Sequence, residues 1–317
     1  ALSAGGDIKR RQPFTPMLLP FLHVFSPHCR RCPFQQEYDT CQAKGIYPCV
    51  EQVEQTIREV GPEYISAFIC EPIVGSQQGA VVPPDGYFAQ VRKICDKYDI
   101  LLIIDEVMTG FGRTGRYFAS EHFGVEPDII TFGKGVSSGY APLGGMIVHE
   151  RIIEALIKNS KGKFMHGYTY SGHPVSVAAG LEAVKYYKEK EVLANCLRQS
   201  QYLFKRLKEV AGKHHVIGEI RGKGLLIGLE LVQDKAEGRE FPSSYPASEK
   251  LNAIAMDLGA VFYPGSGSID GIRGHHLLIA PPLTITQAEI DEMVQILDQA
   301  LSAFTAQLDD DLRAIQN

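Results

Sequence analysis

The chain has 317 residues, is 44% hydrophobic and 22% charged, and carries a formal charge of −5 with a pI near 6.1. That composition excludes a disordered chain and leaves room for one large or two ordinary domains with full cores. It also argues against nucleic acid as a partner, since no basic stripe is interleaved with aromatics, and against a membrane span, since no apolar run approaches about 18 residues.

The first fifty residues are rich in proline, cysteine and aromatics and are expected to form an irregular packed region. Within them "HCRRCPFQQEYDTCQAKGIYPC" gathers Cys29, Cys32, Cys41 and Cys49. A single C-x-x-C without a second pair or a matched histidine pair favours reduced structural thiols over zinc, so no metal is expected. Cys70, Cys95 and Cys196 stand in apolar contexts and are expected to be small core residues. With no signal-peptide pattern, the expected location is cytoplasmic.

Regular patterning starts at "CVEQVEQTIREVGPE", a helix with Val50, Val53 and Ile57 on one face that ends before Gly61-Pro62. There follow "ISAFICEPI" (strand), "GYFAQVRKICDKYD" (helix), "ILLIIDEV" (strand), a glycine-rich loop, and the strands "DIITF" and "GGMIVH". Uniformly apolar strands alternating with helices predict an α/β fold: a three-layer, mostly parallel sheet covered on both faces. Further on, "GLLIGLELV" predicts a strand, and "ASEKLNAIAMDLG" a helix carrying Leu251, Ile254, Ala255 and Leu258 and closed by Gly259. "TQAEIDEMVQILDQAL" predicts a helix with a Thr286/Glu289 capping box and a buried stripe of Ile290, Met293, Ile296, Leu297 and Leu301. These elements predict a smaller α+β C-terminal domain over 214–317, after a large domain over 1–213. His275 and His276 are adjacent on a predicted strand, so they point to opposite faces and make no metal pair.

In a parallel sheet, ligands bind at the carboxyl ends of the strands, and there the ionisable residues fall. Glu71 follows "AFIC", Asp105 and Glu106 follow "ILLII", and Lys134 follows "IITFG" between two glycines. Asp105 and Lys134 are separated by roughly 30 residues, one strand–crossover–strand unit, so a carboxylate and an amine can face one ligand. Pyridoxal phosphate requires that pair: a lysine to form a Schiff base, and an acid to keep the ring nitrogen protonated. The alternative is a direct Asp105–Lys134 salt bridge with no cofactor.

On "LLIIDEVMTGFGRTG", "EPDIITFGKGVSSGYAPLGG" and "HGYTYSGHPVSVAAGLEA", and on through "RGKGLLIGLEL" and "LLIAPPLTIT", the sequence resembles the class III (omega) aminotransferases among the fold-type I pyridoxal-phosphate enzymes. The resemblance implies Lys134 as the Schiff-base lysine and proton carrier. It implies Asp105 as the partner of the ring nitrogen, Val107 against one ring face, and Glu71 near the ring hydroxyl and the substrate carboxylate. Tyr168 and Thr169 match the segment that in the family reaches the phosphate of the partner subunit's cofactor, which implies a homodimer with shared active sites.

Two departures accompany the resemblance. The family's N-terminal portion, with its phosphate loop and ring-stacking aromatic, has no counterpart in "ALSAGGDIKRRQPF", so these residues alone are expected to bind cofactor weakly and not to transaminate. The arginine that many relatives place ten residues before "PPL" is replaced by Gly271. Arg273 is the nearest candidate for a substrate carboxylate, with a solvated loop role as the alternative. The scaffold also suits an aminomutase, racemase or decarboxylase, because the bond that breaks depends on substrate orientation. A non-catalytic or nucleotide-binding α/β protein is the reading from another class, and no G-x-x-x-x-G-K-[ST] or G-x-G-x-x-G sequence supports it.

Overall fold

The apolar runs of the sequence become two four-stranded sheets in the computed structural model, which describes residues 1–45 and 47–316. In chain order the elements are α1 (Ile8–Arg11), α2 (Tyr38–Lys44), α3 (Pro48–Val60), β1 (Ala67–Cys70), α4 (Tyr87–Lys97), β2 (Leu101–Asp105), β3 (Ile129–Phe132) and β4 (Gly145–Val148). They continue with α5 (Glu150–Ser160), α6 (Pro174–Glu189), α7 (Val192–Lys213), β5 (Ile217–Lys223), β6 (Leu226–Leu231), α8 (Ala247–Asp257), β7 (Tyr263–Ser266), β8 (His275–Ile279) and α9 (Gln287–Gln316). The opening region, expected to be irregular, therefore holds two short helices. α2 closes where Gly45 turns left-handed at φ 61°.

Contacts divide the chain into two compact units. One comprises Val24–Pro72 and Pro83–Leu193; the other comprises Ala1–His23, Ile73–Val82 and Ala194 to the end of the described chain.

The first of these holds the sheet β1-β2-β3-β4, in which β1, β2 and β3 run parallel and β4 returns antiparallel to β3. Val53 and Ile57 of α3 and Val91 and Ile94 of α4 pack with Ile100, Leu102 and Ile104 into its core, the helical spacing meeting the strand run as expected; the other face of β1 and β2 is less covered than expected, with Leu101 and Ile103 half-buried and Ile69 38% exposed. Register is fixed at the strands' starting ends by buried Asp128. Its carboxylate accepts from Leu102 N at 2.7 Å, from Arg92 at 2.8 Å and from Arg151. Burial opposes ionisation of Asp128, but these donors outweigh it and hold the carboxyl below its ordinary range.

The second unit is built on the antiparallel sheet β5-β6-β8-β7. β6 is buried at every position, and its Ile227, Leu229 and Leu231 share one core with α9 residues such as Ile290, Leu297 and Leu301 and α7 residues such as Leu203 and Leu207. α7 thus packs with the C-terminal sheet, although its sequence precedes the 213/214 division. The capping box forms: Thr286 N donates to Glu289 at 2.8 Å and Glu289 N to Thr286 Oγ1 at 3.3 Å. Segment 73–82 lies on this sheet through a backbone approach that requires glycine, since a Cβ on Gly228 would stand 1.9 Å from the Gly79 carbonyl oxygen. Buried Arg221 clamps the same segment, donating to the carbonyls of Gly79 and Gln78 at 2.8 and 2.6 Å and pairing with Glu219 and Glu230.

Candidate active site

Pairing register brings the strand-end residues level. Cys70 pairs with Ile104, so Glu71 emerges beside Asp105, and Asp105 itself pairs with Thr131, three residues before Lys134. The Cys70 thiol is pushed up by burial first and then by the Cys95 thiol and the carboxylates of Glu71 and Asp105. Asp105 is half-buried. Its Oδ1 accepts from Val107 N at 3.0 Å, while its Oδ2 has no hydrogen-bond partner among the described residues.

Glu106 turns the other way. It is fully buried, and its carboxylate accepts from Thr109 Oγ1 at 2.5 Å, Ala119 N at 2.9 Å and Ser120 N at 2.8 Å. The glycine-rich loop that follows β2 is thereby folded around a carboxylate with both oxygens engaged, leaving Asp105 as the acid with an oxygen to offer.

Lys134 opens a short 3₁₀ turn, Lys134–Ser137, with a left-handed backbone at φ 44°. A lysine in that region costs about 1–3 kcal/mol and persists only where its surroundings hold it. They do: Tyr187 of α6 donates to Gly135 O at 2.5 Å, Ser138 Oγ lies 2.7 Å from the same hydroxyl, and Ser137 Oγ donates to Ala141 O at 2.6 Å. The amine is exposed and makes no ion pair or hydrogen bond among the described residues, so the direct Asp105–Lys134 salt bridge does not form. Val107 lies alongside: its methyls would stand 3.6 and 3.8 Å from a Cβ on buried Gly133.

Tyr168 and Thr169 sit in the exposed turn before α6, where Tyr168 N donates to Ser171 Oγ at 3.1 Å. Neither side chain is hydrogen-bonded to Asp105 or Lys134. Arg273 belongs to the other unit, in the loop between β7 and β8, and its Nε donates to Asp270 at 2.7 Å. Burial opposes the Asp270 charge, yet the Arg273 backbone and side-chain donors hold its carboxyl below the ordinary range.

Over residues 1–301 the sequence matches the class III aminotransferase family. The chain belongs to the class III aminotransferases. It is 36% identical over 311 residues to the uncharacterized aminotransferase YodT of Bacillus subtilis, spanning 98% of this chain and 69% of that protein. It is 41% identical over 267 residues to the putrescine–pyruvate aminotransferase of Pseudomonas aeruginosa, spanning 83% of this chain and 56% of that one. Among solved structures, a thermostable (S)-enantioselective omega-transaminase from Thermomicrobium roseum superposes with a TM-score of 0.84 at 39% identity, over 96% of this chain and 64% of that one. The chain thus spans between about half and about two thirds of the length of these relatives.

The strand-end residues of this class III chain fit a flat, aldehyde-bearing pyridine ligand. An amine with no protein partner, a half-buried carboxylate oxygen left open, and an aliphatic side chain beside the lysine loop are the donor set such a ligand uses. Two residues were not singled out from the sequence: Tyr187, which fixes the lysine turn, and Glu106 in its inward role. In sequence Tyr187 is one of two adjacent tyrosines on a predicted helix, with nothing to set it apart from Tyr186.

Proposed function

We propose that the protein is a pyridoxal-phosphate-dependent aminotransferase that moves an amino group between an amino acid or primary amine and a 2-oxo acid. The single observation that carries this reading is Lys134: an unpaired amine held in a left-handed turn, one strand away from an acid with an open oxygen. Pyridoxal phosphate, when bound, supplies an aldehyde that captures the amine and a protonated ring that accepts the electron pair of the substrate's Cα–H bond.

Lys134 Nζ would hold the cofactor covalently and then move the proton to and from the substrate Cα. Asp105 Oδ2 would accept a hydrogen bond from the ring nitrogen and keep it charged. Val107 would pack on one ring face, and Glu71 would lie at the hydroxyl edge and near the substrate carboxylate. Arg273, now engaged with Asp270, is the cation proposed for a substrate carboxylate. A primary amine as donor and pyruvate as acceptor are the classes named for the Pseudomonas relative.

A homodimer in a cytoplasmic setting completes the reading, with Tyr168 and Thr169 offered to the phosphate of the partner's cofactor. Its support is the apolar surface around that turn, where Met165 is 90% exposed and Tyr168, Tyr170 and Val175 are 67–78% exposed.

Asp105→Asn tests the reading, because an amide keeps the size and the Val107 contact but carries no charge. In the full-length protein, with the family's N-terminal portion present, the expected result is a folded protein with turnover reduced by a factor of 100 or more, at about 1.4 kcal/mol per tenfold, on a panel of amines with pyruvate and 2-oxoglutarate. Turnover near that of the unaltered protein would make Asp105 structural.

A further inference from the structure

The four N-terminal cysteines have no part in amino-group transfer, yet the fold brings them to one place. Cys29, Cys32, Cys41 and Cys49 all line a recess of about 340 Å³, counting the space open to solvent, walled also by Tyr47 and Pro84. Burial pushes the Cys49 thiol up to about 12, with Cys29 and Cys32 adding to the shift, and Cys41 is raised by burial and then by Cys32.

Two of the four are set apart by local geometry. Residues Cys29–Arg31 form a single 3₁₀ turn with Cys32 as its C-cap, held by Arg31 N to His28 O at 3.2 Å and continued by Gln35 N to Cys32 O at 3.0 Å. With three residues per turn, positions i and i+3 lie over one another on the same face, so the Cys29 and Cys32 side chains start from neighbouring points. Both are half-exposed, as is Cys49, but Cys49 stands at the second position of α3, outside that turn, and Cys41 is buried. A thiolate is the attacking form, so accessible thiols react and a buried protonated one does not. Among the described residues no group of three or more cysteine, histidine or carboxylate side chains converges as metal ligands would, which favours thiol exchange over a metal.

We propose that Cys29 and Cys32 are a redox-active vicinal dithiol that closes to an intramolecular disulfide on meeting a low-molecular-weight disulfide. One thiolate of the pair attacks a sulfur of the small disulfide, forming a mixed disulfide and expelling a small thiolate. The second thiolate then attacks the protein sulfur of that bond, expelling the other small thiolate. The two protons lost by the cysteines end on the leaving thiols, so the protein loses two hydrogens and one small disulfide becomes two small thiols. A bond across so short a loop adds little stability, so the readout is chemical.

The test is to incubate the folded protein with oxidised glutathione near neutral pH, alkylate the remaining thiols, and map tryptic peptides. Cleavage at Arg30 and Arg31 puts Cys29 in peptide 12–30 and Cys32 in peptide 32–44. The expected result is that these two peptides are joined with the loss of two hydrogens, that fragmentation places the bond on Cys32 rather than Cys41, and that dithiothreitol reverses it. In Cys29→Ser the second step has no thiol, so glutathione should remain attached to Cys32. The proposal is overturned by a bond from Cys29 to Cys41 or Cys49, by glutathione remaining on the unaltered protein, by no thiol loss, by a tightly held zinc that shields the thiols, or by reaction only when fully buried Cys95 and Cys196 are modified too.

Discussion

Tyr187 donates its hydroxyl hydrogen to the carbonyl oxygen of Gly135, 2.5 Å away and one residue past Lys134. Because that hydroxyl also lies 2.7 Å from Ser138 Oγ, one side chain of α6 grips both ends of the turn that carries the lysine. Tyr187→Phe removes both bonds and little volume. The expected outcome is a stability loss of about 1–2 kcal/mol, with turnover of the full-length protein lower by about tenfold as the amine loses its fixed position. Denaturant unfolding and steady-state kinetics check it together, and a variant that matches the unaltered protein in turnover would deny the grip any part in the chemistry.

Glu106→Gln should act on the fold first. The carboxylate receives two backbone amides and a hydroxyl in a fully buried site, and an amide must turn one NH₂ toward those donors. The expected loss is about 2–3 kcal/mol, read as a lower denaturation midpoint with unchanged slope. Loss of activity at full stability would instead mark Glu106 as part of the chemistry.

His276 gives the second unit a pH dependence. Its Nε2 lies 3.0 Å from Ser76 O and therefore carries the hydrogen, and burial first, then nearby Arg221 and His275, lower its pKa to about 4, with the hydrogen bond to Ser76 and then Glu230 opposing. The folded state thus keeps His276 neutral while the unfolded chain protonates it below about 6.5. The contribution is complete above pH 6.5 and is lost as pH falls toward 4, up to about 3 kcal/mol. Unfolding free energies at several pH values, compared with His276→Gln, should diverge over that window; parallel curves would mean that His276 takes up its proton equally in the folded and unfolded states.

Much of this arrangement is legible in the sequence because it is encoded locally. "LLIID" and "DIITF" are apolar, β-branched and abruptly ended, so the strands and their polar ends can be read together, and Asp105, Glu71 and Lys134 follow from where each run stops. The Thr286/Glu289 box is equally local, and it forms. What is not legible depends on partners far away in sequence. Nothing in "DEV" tells which of two adjacent carboxylates faces inward until residues 119 and 120 fold back to donate to Glu106. In "VKYYKE", Tyr186 and Tyr187 are chemically identical, and only packing buries the second. The seating of segment 73–82 on the C-terminal sheet rests on two glycines and Arg221 about 150 residues apart, a pairing that periodicity does not carry.

The most direct test of the central claim, that Lys134 is the amine that holds the cofactor, is borohydride reduction of the full-length, pyridoxal-phosphate-loaded protein followed by peptide mass mapping. The account predicts a single pyridoxyl-modified lysine at Lys134, absent in Lys134→Ala. A modified lysine elsewhere in the unaltered protein, or the same yield of adduct from the variant, would contradict it.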